Sequence, residues 1–421
     1  MSEAPSVFAV ENLLDPYPMY RQLRDEAPVL PLPEMNMYYV TRYDLVREVL
    51  KNTDTYSSRF DEFMAFAGQA GLAGVSDEAL AKLREYDQQL EPRVATLLTL
   101  DEPDHKKYRS LVSELFTGSA IKASEDQVKT VIDRVADEFK PNSGTDYMAG
   151  FAFPVPLDII ATRLGIPAAD RALFNDGATA AAAGLRMSPL PEEEILRRGA
   201  LAVQLQKLLI RLIEEARETP RDDMISVLAN SRLEDEERLL SHAEILSILQ
   251  QFLVAGHETT TSTFGWGMVL LCRYPELQDQ LRGNPAEIKV FVEEALRIEA
   301  PVQGLPRKVV KDTVLGGQEI EAGALVMLRY GAANRDERQF EDPDTVNIHR
   351  KKAGMQLAFG SGVHHCIGAP LARQELNLGF YALLERMKNI RMAPGHAEPV
   401  AEPSFILRNL PELYIEFDQV S

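Results

Sequence analysis

Apolar and polar positions alternate along the chain in two rhythms. Asp15-Pro16-Tyr17-Pro18 opens a short helical pattern running to Arg24, Met37–Val40 reads as a strand, and Tyr43–Lys51 returns to helical spacing. From about Leu80 to Leu296 the spacing is predominantly that of helices. Between Leu305 and Tyr330 it changes to short β-like runs punctuated by turn residues, Val309-Val310, Thr313–Gly317 and Leu325–Tyr330, and Leu413–Phe417 reads as a last strand. The pattern predicts a mainly α fold with small β-sheets. No Ser/Gly-rich linker or internal repeat interrupts it, so a single domain over residues 1–421 is expected. Two segments, Arg59–Pro103 and Gly184–Pro191, mix Gly, Pro and charge, and long irregular connections of that kind are expected to cover a pocket.

The longest helical pattern starts at Ser241-His242-Ala243-Glu244, which fits a capping box, and can run to Arg273, before Pro275. Such a helix would be about 50 Å long, enough to cross a domain. Its middle, Leu253–Trp266, sets Gly256, His257, Glu258 and four threonines into an otherwise apolar run. Glycine and β-branched threonine each weaken a helix interior by up to about 1 kcal/mol, so a local opening of the backbone ladder beside a ligand is expected here. His257-Glu258 also begins the HExxH pattern of zinc peptidases, but position 261 is Thr, and the second ligand is missing.

Composition narrows the function classes. Hydrophobic residues at 45% and charged residues at 26% are ordinary for a globular chain and argue against disorder. A net charge of -19 argues against a nucleic-acid or anionic-membrane surface, leaving small molecules and protein partners. The N-terminus lacks the basic and apolar regions of a secretory signal, and no run of about 18 apolar residues could span a membrane. With two cysteines, Cys272 and Cys366, no disulfide framework is possible, and a reducing, cytoplasmic setting is expected.

Cys272 lies in an apolar stretch and reads as a small core residue. Cys366 is framed differently, within Ala358-Phe359-Gly360-Ser361-Gly362-Val363-His364-His365-Cys366-Ile367-Gly368-Ala369-Pro370. The glycines permit sharp bends and close approach to a flat surface, and Ala369-Pro370 opens a helix reaching about Met387. A thiolate just ahead of a helix N-terminus is stabilised by the helix dipole, which suits a metal-bound sulfur.

Phe359-x-x-Gly362-x-His364-x-Cys366-x-Gly368 resembles the haem-binding loop of the cytochrome P450 family. Glu294-Ala295-Leu296-Arg297 is similar to that family's ExxR pair, and Ala255-Gly256-His257-Glu258-Thr259 to its oxygen-activation segment. Asn334-Arg335-Asp336 and Asp342-Pro343-Asp344 resemble the stretch between the ExxR pair and the cysteine loop. The likeness extends from Asp15-Pro16-Tyr17 onward, with the motifs in the family's order.

The resemblance implies a triangular helical body with a long central helix crossing the cofactor, which is haem b (iron protoporphyrin IX), with O2 as co-substrate. Cys366 becomes the axial iron ligand, a thiolate whose electron density favours O–O cleavage, with Phe359 packed near it and the loop amides after it, around Gly368, tuning the sulfur. His105, Arg109, Arg307 and His364 are placed at the haem propionates, with Ala255 and Gly256 at the cofactor's other face. Glu294 and Arg297 would brace the loop together with Arg350, or alternatively His349. Glu258 would recruit protons and Thr259 would hydrogen-bond the oxygen adduct.

Oxygen insertion needs electrons from outside. No GxGxxG follows a strand and no further cysteine could hold a cluster, so no fused reductase is expected. The family-based expectation is a monomer served by a ferredoxin and an NAD(P)H-dependent ferredoxin reductase. Lys106, Lys107, Lys351, Lys352 and Arg373 could form a basic patch steering that acidic partner. The substrate pocket would be lined by Leu97, Leu98, Leu253, Val254, Val302, Gln303, Leu305, Phe405 and Ile406, with Gln303 as a polar anchor. That set favours an apolar terpenoid, aromatic, fatty acyl or steroid compound. A peroxide-driven peroxygenase and a non-catalytic haem sensor are the alternatives, and the acid–alcohol pair Glu258-Thr259 has little use in either. Gln356 departs from the family pattern, standing where many relatives have His.

Overall fold

The chain was analysed as a computed structural model, which describes residues 6–61, 63, 72, 74–139, 145–182, 190–233 and 237–420. Helices dominate, with small sheets, as the apolar spacing predicts. The chain divides into two compact units, residues 1–57, 121–156 and 258–421 in one, residues 58–120 and 157–257 in the other. Among the described residues no helix is long and apolar enough to cross a membrane.

The first unit is built on a five-stranded sheet ordered Val29–Leu32, Met37–Val40, Leu325–Arg329, Gly304–Val309, Tyr56–Ser57. The second and third strands are parallel, Met37 opposite Leu325, and the other pairs are antiparallel, with Leu305 opposite Leu328 and Tyr56 opposite Val309. The helix Tyr43–Lys51 buries Tyr43, Val46 and Val49 against Val40, Val309 and Leu328 of this sheet, and Phe340 and Leu357 join the same core. Leu357 is thus fixed in the core immediately ahead of the cysteine loop. A second sheet pairs Tyr414–Gln419 with both Met387–Met392 and Thr145–Asp146.

The long helix is realised as His242–Arg273, and the boundary between the units falls inside it, between His257 and Glu258. Its capping box forms as the sequence predicts: the Ser241 N–H donates to Glu244 Oε2 at 2.8 Å, and the Glu244 N–H donates back to Ser241 Oγ at 3.2 Å. Glu244 also accepts from Arg238 at 2.8 Å and from the Tyr108 hydroxyl at 2.7 Å.

The expected opening of the helix at Leu253–Trp266 is not found; the helix continues without interruption. The unusual residues have other reasons. The Thr263 hydroxyl bonds back to the Thr259 carbonyl at 2.8 Å, so that threonine is satisfied inside the helix. Gly265 makes room for a neighbour, since a Cβ there would lie 2.6 Å from Met148 Sδ, and Gly267, just past the stretch, does the same for Phe380, whose Cζ would lie 2.5 Å from a Cβ there. The contact with that helix is reciprocal: a Cβ on Gly379, on the helix Ala369–Arg386, would lie 2.5 Å from the Phe264 ring. Phe291, from the helix Ile288–Ile298, meets Phe380 edge to face at 5.2 Å. Three helices that carry the motifs are therefore locked at one aromatic cluster.

In the second unit, Glu192–Glu218 lies against Arg171–Ala182 and Asp77–Asp87. The stretch after Asp77–Asp87 is tied to the first half of the long helix: Val94 N–H to Ser247 Oγ at 3.0 Å, Leu98 N–H to Gln251 Oε1 at 3.0 Å, and Gln251 Nε2 to Thr96 Oγ1 at 2.5 Å. Of the two segments expected to cover a pocket, Arg59–Pro103 is described apart from residues 62, 64–71 and 73, and Gly184–Pro191 lies outside the described residues except at Leu190 and Pro191.

Burial pushes the Glu244 carboxyl up, but the hydrogen bonds from Arg238, the Ser241 backbone and Tyr108 outweigh it and hold the group at about 2, below its ordinary 4.5. A depressed carboxyl stabilises the fold fully above its ordinary value and loses that contribution as pH falls through the folded value. Ser241→Ala should cost about 1 kcal/mol in thermal or urea denaturation at neutral pH. Glu244→Gln should be less stable than the parent at neutral pH, and the difference should close as pH falls from about 4.5 towards 2.

Candidate functional site

The loop carrying Cys366 is shaped by short backbone bonds. The Gly360 N–H donates to the Leu357 carbonyl at 2.8 Å, the His365 N–H to the Gly362 carbonyl at 3.0 Å, and the Cys366 N–H to the Phe359 carbonyl at 2.9 Å. Gly360 and Gly362 take φ of 67° and 76°, the left-handed region that disfavours a side chain. A Cβ on Gly362 would also stand 2.4 Å from the Leu50 carbonyl oxygen, so glycine is required there twice over.

Cys366 is exposed and stands just ahead of the helix Ala369–Arg386, with Pro370 in its first turn. A Cβ on Gly368 would reach the Cys366 sulfur at 3.9 Å, ordinary contact, so the sulfur is not crowded from that side. Helix N-terminus and exposure together favour a reactive, metal-binding thiolate. Cys272 is the opposite case, because burial pushes its thiol up to about 12.

Behind the loop lies a fully buried ion pair. Arg297 Nε and Nη2 donate to the two Glu294 carboxylate oxygens at 2.7 and 2.9 Å, and both side chains have 0% exposure. The same guanidinium donates to the carbonyls of Asn334 at 3.0 Å, Pro343 at 2.5 Å and Thr345 at 3.2 Å. Arg350 Nε adds a bond to Glu294 at 2.9 Å, so the third member is Arg350, while His349 is exposed. Asn334 carries the brace onward, its Oδ1 accepting the Leu357 N–H at 2.6 Å at the start of the cysteine loop.

The acid of the long helix is also held. Glu258 is 4% exposed, and its Oε2 accepts from Asn409 Nδ2 at 2.8 Å. Asn409 is in turn fixed through its neighbour, because the Arg408 carbonyl accepts from Ser262 Oγ at 2.5 Å and from Trp266 Nε1 at 2.8 Å. Thr259 is half-buried. Asn409 was not singled out from the sequence: it is more than a hundred residues away from Glu258 and lies in no motif.

Of the residues expected around the haem, Phe359, His364, Cys366 and Gly368 share one loop, and Arg307 is buried in the same unit, beside Tyr330. His105 and Arg109 lie in the other unit on the helix Asp104–Ser113, four residues apart on one face. Burial holds the His105 imidazole below its ordinary value, and the Arg109 charge adds to this against a hydrogen bond with Glu102. Ala255 is exposed and Gly256 half-buried on the same unit's part of the long helix.

Two expected pocket residues have other work. Gln303 accepts from the Tyr20 hydroxyl at 3.1 Å and donates to the Ala300 carbonyl at 2.8 Å, so its amide is committed inside the fold and does not serve as a substrate anchor. Phe405 packs on Phe8 at 4.9 Å and under the buried Arg329 guanidinium at 4.9 Å, which turns its ring into the protein. Ile406 is buried, its carbonyl accepting the Gln303 N–H at 2.7 Å. Val302 and Leu305 pack against the sheet core, Leu253 is buried, Val254 and Leu97 are half-buried, and Leu98 is exposed. Arg373, expected in a docking patch, pairs with Glu293 at 2.5 Å, and Lys107 pairs with Asp104 at 3.5 Å. A cleft of about 640 Å³ in the first unit, lined by Tyr17, Trp266, Glu299, Arg335 and Arg408, contains neither Cys366 nor Glu258.

The donor set around Cys366 fits haem: one exposed thiol at a helix N-terminus, a loop that two glycines let turn tightly, and a brace that fixes it from behind. Comparison with known proteins agrees. A profile described as Cytochrome P450 matches residues 189–415. The chain is 31% identical to cytochrome P450 CYP107DY1 of Priestia megaterium, over 97% of each chain. Among solved structures it resembles CYP109Q5 from Chondromyces apiculatus, with a TM-score of 0.82 and 30% identity over 99% of this chain and 98% of that one. It likewise resembles CYP109E1 from Bacillus megaterium in complex with corticosterone, with a TM-score of 0.81 and 29% identity over 96% of this chain and 99% of that one.

Removing one partner of a fully buried ion pair leaves the other charge uncompensated and costs about 3–5 kcal/mol. Glu294→Gln and Arg297→Leu should therefore yield protein with a low haem-to-protein absorbance ratio and a lowered melting temperature. Arg297→Lys should fall nearly as far, since an ammonium cannot bridge the carboxylate and three carbonyls at once.

Proposed function

The chain belongs to the cytochrome P450 family, an oxidoreductase of the monooxygenase type, and on that premise we propose that it inserts one atom of O2 into an apolar small molecule with electrons from an external ferredoxin and its reductase. The observation that carries this reading is the exposed Cys366 at a helix N-terminus on a loop braced by Glu294 and Arg297. Cys366 would hold the iron of haem b, and the residues assigned to its propionates are Arg307, His364, His105 and Arg109. When bound, the haem supplies O2 activation, favoured by a thiolate ligand.

The chain's own residues would manage protons and water. Glu258 Oε2 accepts from the Asn409 amide, which fixes the orientation of the carboxylate that would take up and pass on a proton. The Thr259 hydroxyl, next along the helix, is the group assigned to receive it. A buried acid held in one orientation delivers protons without admitting bulk water, which would divert electrons to peroxide. A peroxide-driven enzyme or a ligand sensor has no need of such a pair.

Aliphatic side chains, Leu253, Val254, Val302 and Leu305, support an apolar substrate. A relative solved with corticosterone makes a steroid the first compound to test. A ferredoxin with its NAD(P)H-dependent reductase is the proposed donor, and the lysines left for its docking are Lys106, Lys351 and Lys352.

Two expected outcomes test the reading. The reduced, carbon monoxide-treated protein should show the strongly red-shifted Soret band of a thiolate-ligated haem, and Cys366→Ser should lose it; a histidine-type band in the parent would end the proposal. With a plant-type ferredoxin, its reductase and corticosterone as probe, Thr259→Ala and Asn409→Leu should consume NADPH near the parent rate but send a larger share of electrons to hydrogen peroxide. An unchanged peroxide share in both variants would remove Glu258 and Thr259 from proton delivery.

A further inference from the structure

We propose that Glu293 and Arg373 form a charge pair that sets the reduction potential of the thiolate-ligated centre, acting through Phe359; the inference rests on the haem reading of Cys366. Glu293 precedes the bracing glutamate on the same helix but faces a different element. Its carboxylate accepts from Arg373 Nε at 2.5 Å and Nη2 at 3.2 Å, and from Gln356 Nε2 at 3.2 Å. The Gln356 Oε1 then accepts the Ala358 N–H at 2.6 Å. Arg373 itself lies over the Phe359 ring, 4.4 Å from its centroid. Phe359 is the residue whose carbonyl holds the Cys366 N–H.

The pair thus holds the Phe359 ring through Arg373 and, through Gln356, the Ala358 N–H one residue ahead of Phe359. Gln356, the departure from the family pattern, is the residue that joins Glu293 to the backbone at Ala358. A cation over an aromatic face is attracted by the ring's negative quadrupole, so Arg373 and Phe359 fix one another. The two charges are nearly compensated, but they stand at different places: the guanidinium is in van der Waals reach of Phe359, and the carboxylate reaches the loop through Gln356. With side chains 32% and 16% exposed, neither charge is fully screened by water.

Reduction adds an electron to the centre, so a nearby cation favours the reduced form and a nearby anion the oxidised form. Removing the two partners one at a time should therefore move the potential in opposite directions. Loosening of the loop, the outcome of a purely structural role, would move both variants the same way.

The test is a dye-mediated redox titration of the substrate-free holoenzyme, with the carbon monoxide stretching frequency of the reduced complex recorded alongside. Arg373→Gln should lower the reduction equilibrium constant about 3- to 10-fold, and Glu293→Gln should raise it by a similar factor. The double variant should return close to the parent, and Arg373→Lys, which keeps the charge, should stay within about twofold of it. Shifts of the same sign in the two single variants, no shift in either, or an Arg373→Lys shift as large as that of Arg373→Gln would overturn the proposal. Should the parent itself lack a thiolate-type carbon monoxide band, the haem reading fails instead, and the two failures are told apart by that spectrum.

Discussion

Everything near Cys366 depends on one buried ion pair. Two fully desolvated charges are costly unless geometry and additional hydrogen bonds compensate them, and Glu294 and Arg297 meet that condition with a two-point contact, Arg350 and three backbone carbonyls. The carbonyls belong to Asn334, Pro343 and Thr345, a stretch without regular sheet or long helix to order it. One guanidinium replaces that missing order. The neighbouring residues extend the junction: Arg335 donates to the Ile298 carbonyl at 2.8 Å, closing off the helix that carries the pair, and Asp336 accepts the Tyr43 N–H at 2.9 Å at the start of the helix Tyr43–Lys51. Three consecutive residues thus tie the cysteine loop, the pair's own helix and a helix on the sheet to one point.

The second half of the long helix is fixed by a different kind of contact. Phe264 and Phe380 each fill a space that a glycine on the opposing helix leaves, so the helices approach at a register that no other residue would allow. On the helix's polar side, Arg408 is held through its carbonyl by Ser262 and Trp266 and through its guanidinium by Glu299 at 2.9 Å. Burial pushes the Glu299 carboxyl up, but Arg408, Arg335 and the Tyr17 hydroxyl outweigh it and keep it below its ordinary range. The consequence reaches Glu258, because Arg408 anchors Asn409, and Asn409 orients that carboxylate.

The sequence made the fold class and the chemistry legible because both are written locally. The capping box at Ser241, the strand Met37–Val40, the helix Tyr43–Lys51 and the glycine frame of Cys366 each depend on residues a few positions apart, and each stands where the spacing places it. The Gly/Thr stretch of the long helix was misread for the same reason. Locally those residues oppose a helix, but Gly265 answers to Met148, a side chain brought to it by another element. Gln303 and Phe405 were likewise placed by family position, and their partners, Tyr20, Phe8 and Arg329, are brought to them by the sheet and the N-terminal segment. Long-range partners such as Asn409 leave no trace in spacing.

The contrast between Glu293 and Glu294 shows how little sequence separates two functions. Successive helix positions point about 100° apart, so adjacent glutamates on one helix face different surroundings. Glu294 turns inward, where a wholly desolvated carboxylate requires Arg297, and the pair becomes rigid. Glu293 turns towards the cysteine loop and stays partly hydrated, so its pairing with Arg373 is weaker and its field reaches the loop. A rigid pair suits a brace, which must not respond to its surroundings. A softer pair suits tuning, because its two charges can be changed separately without removing the support beneath them.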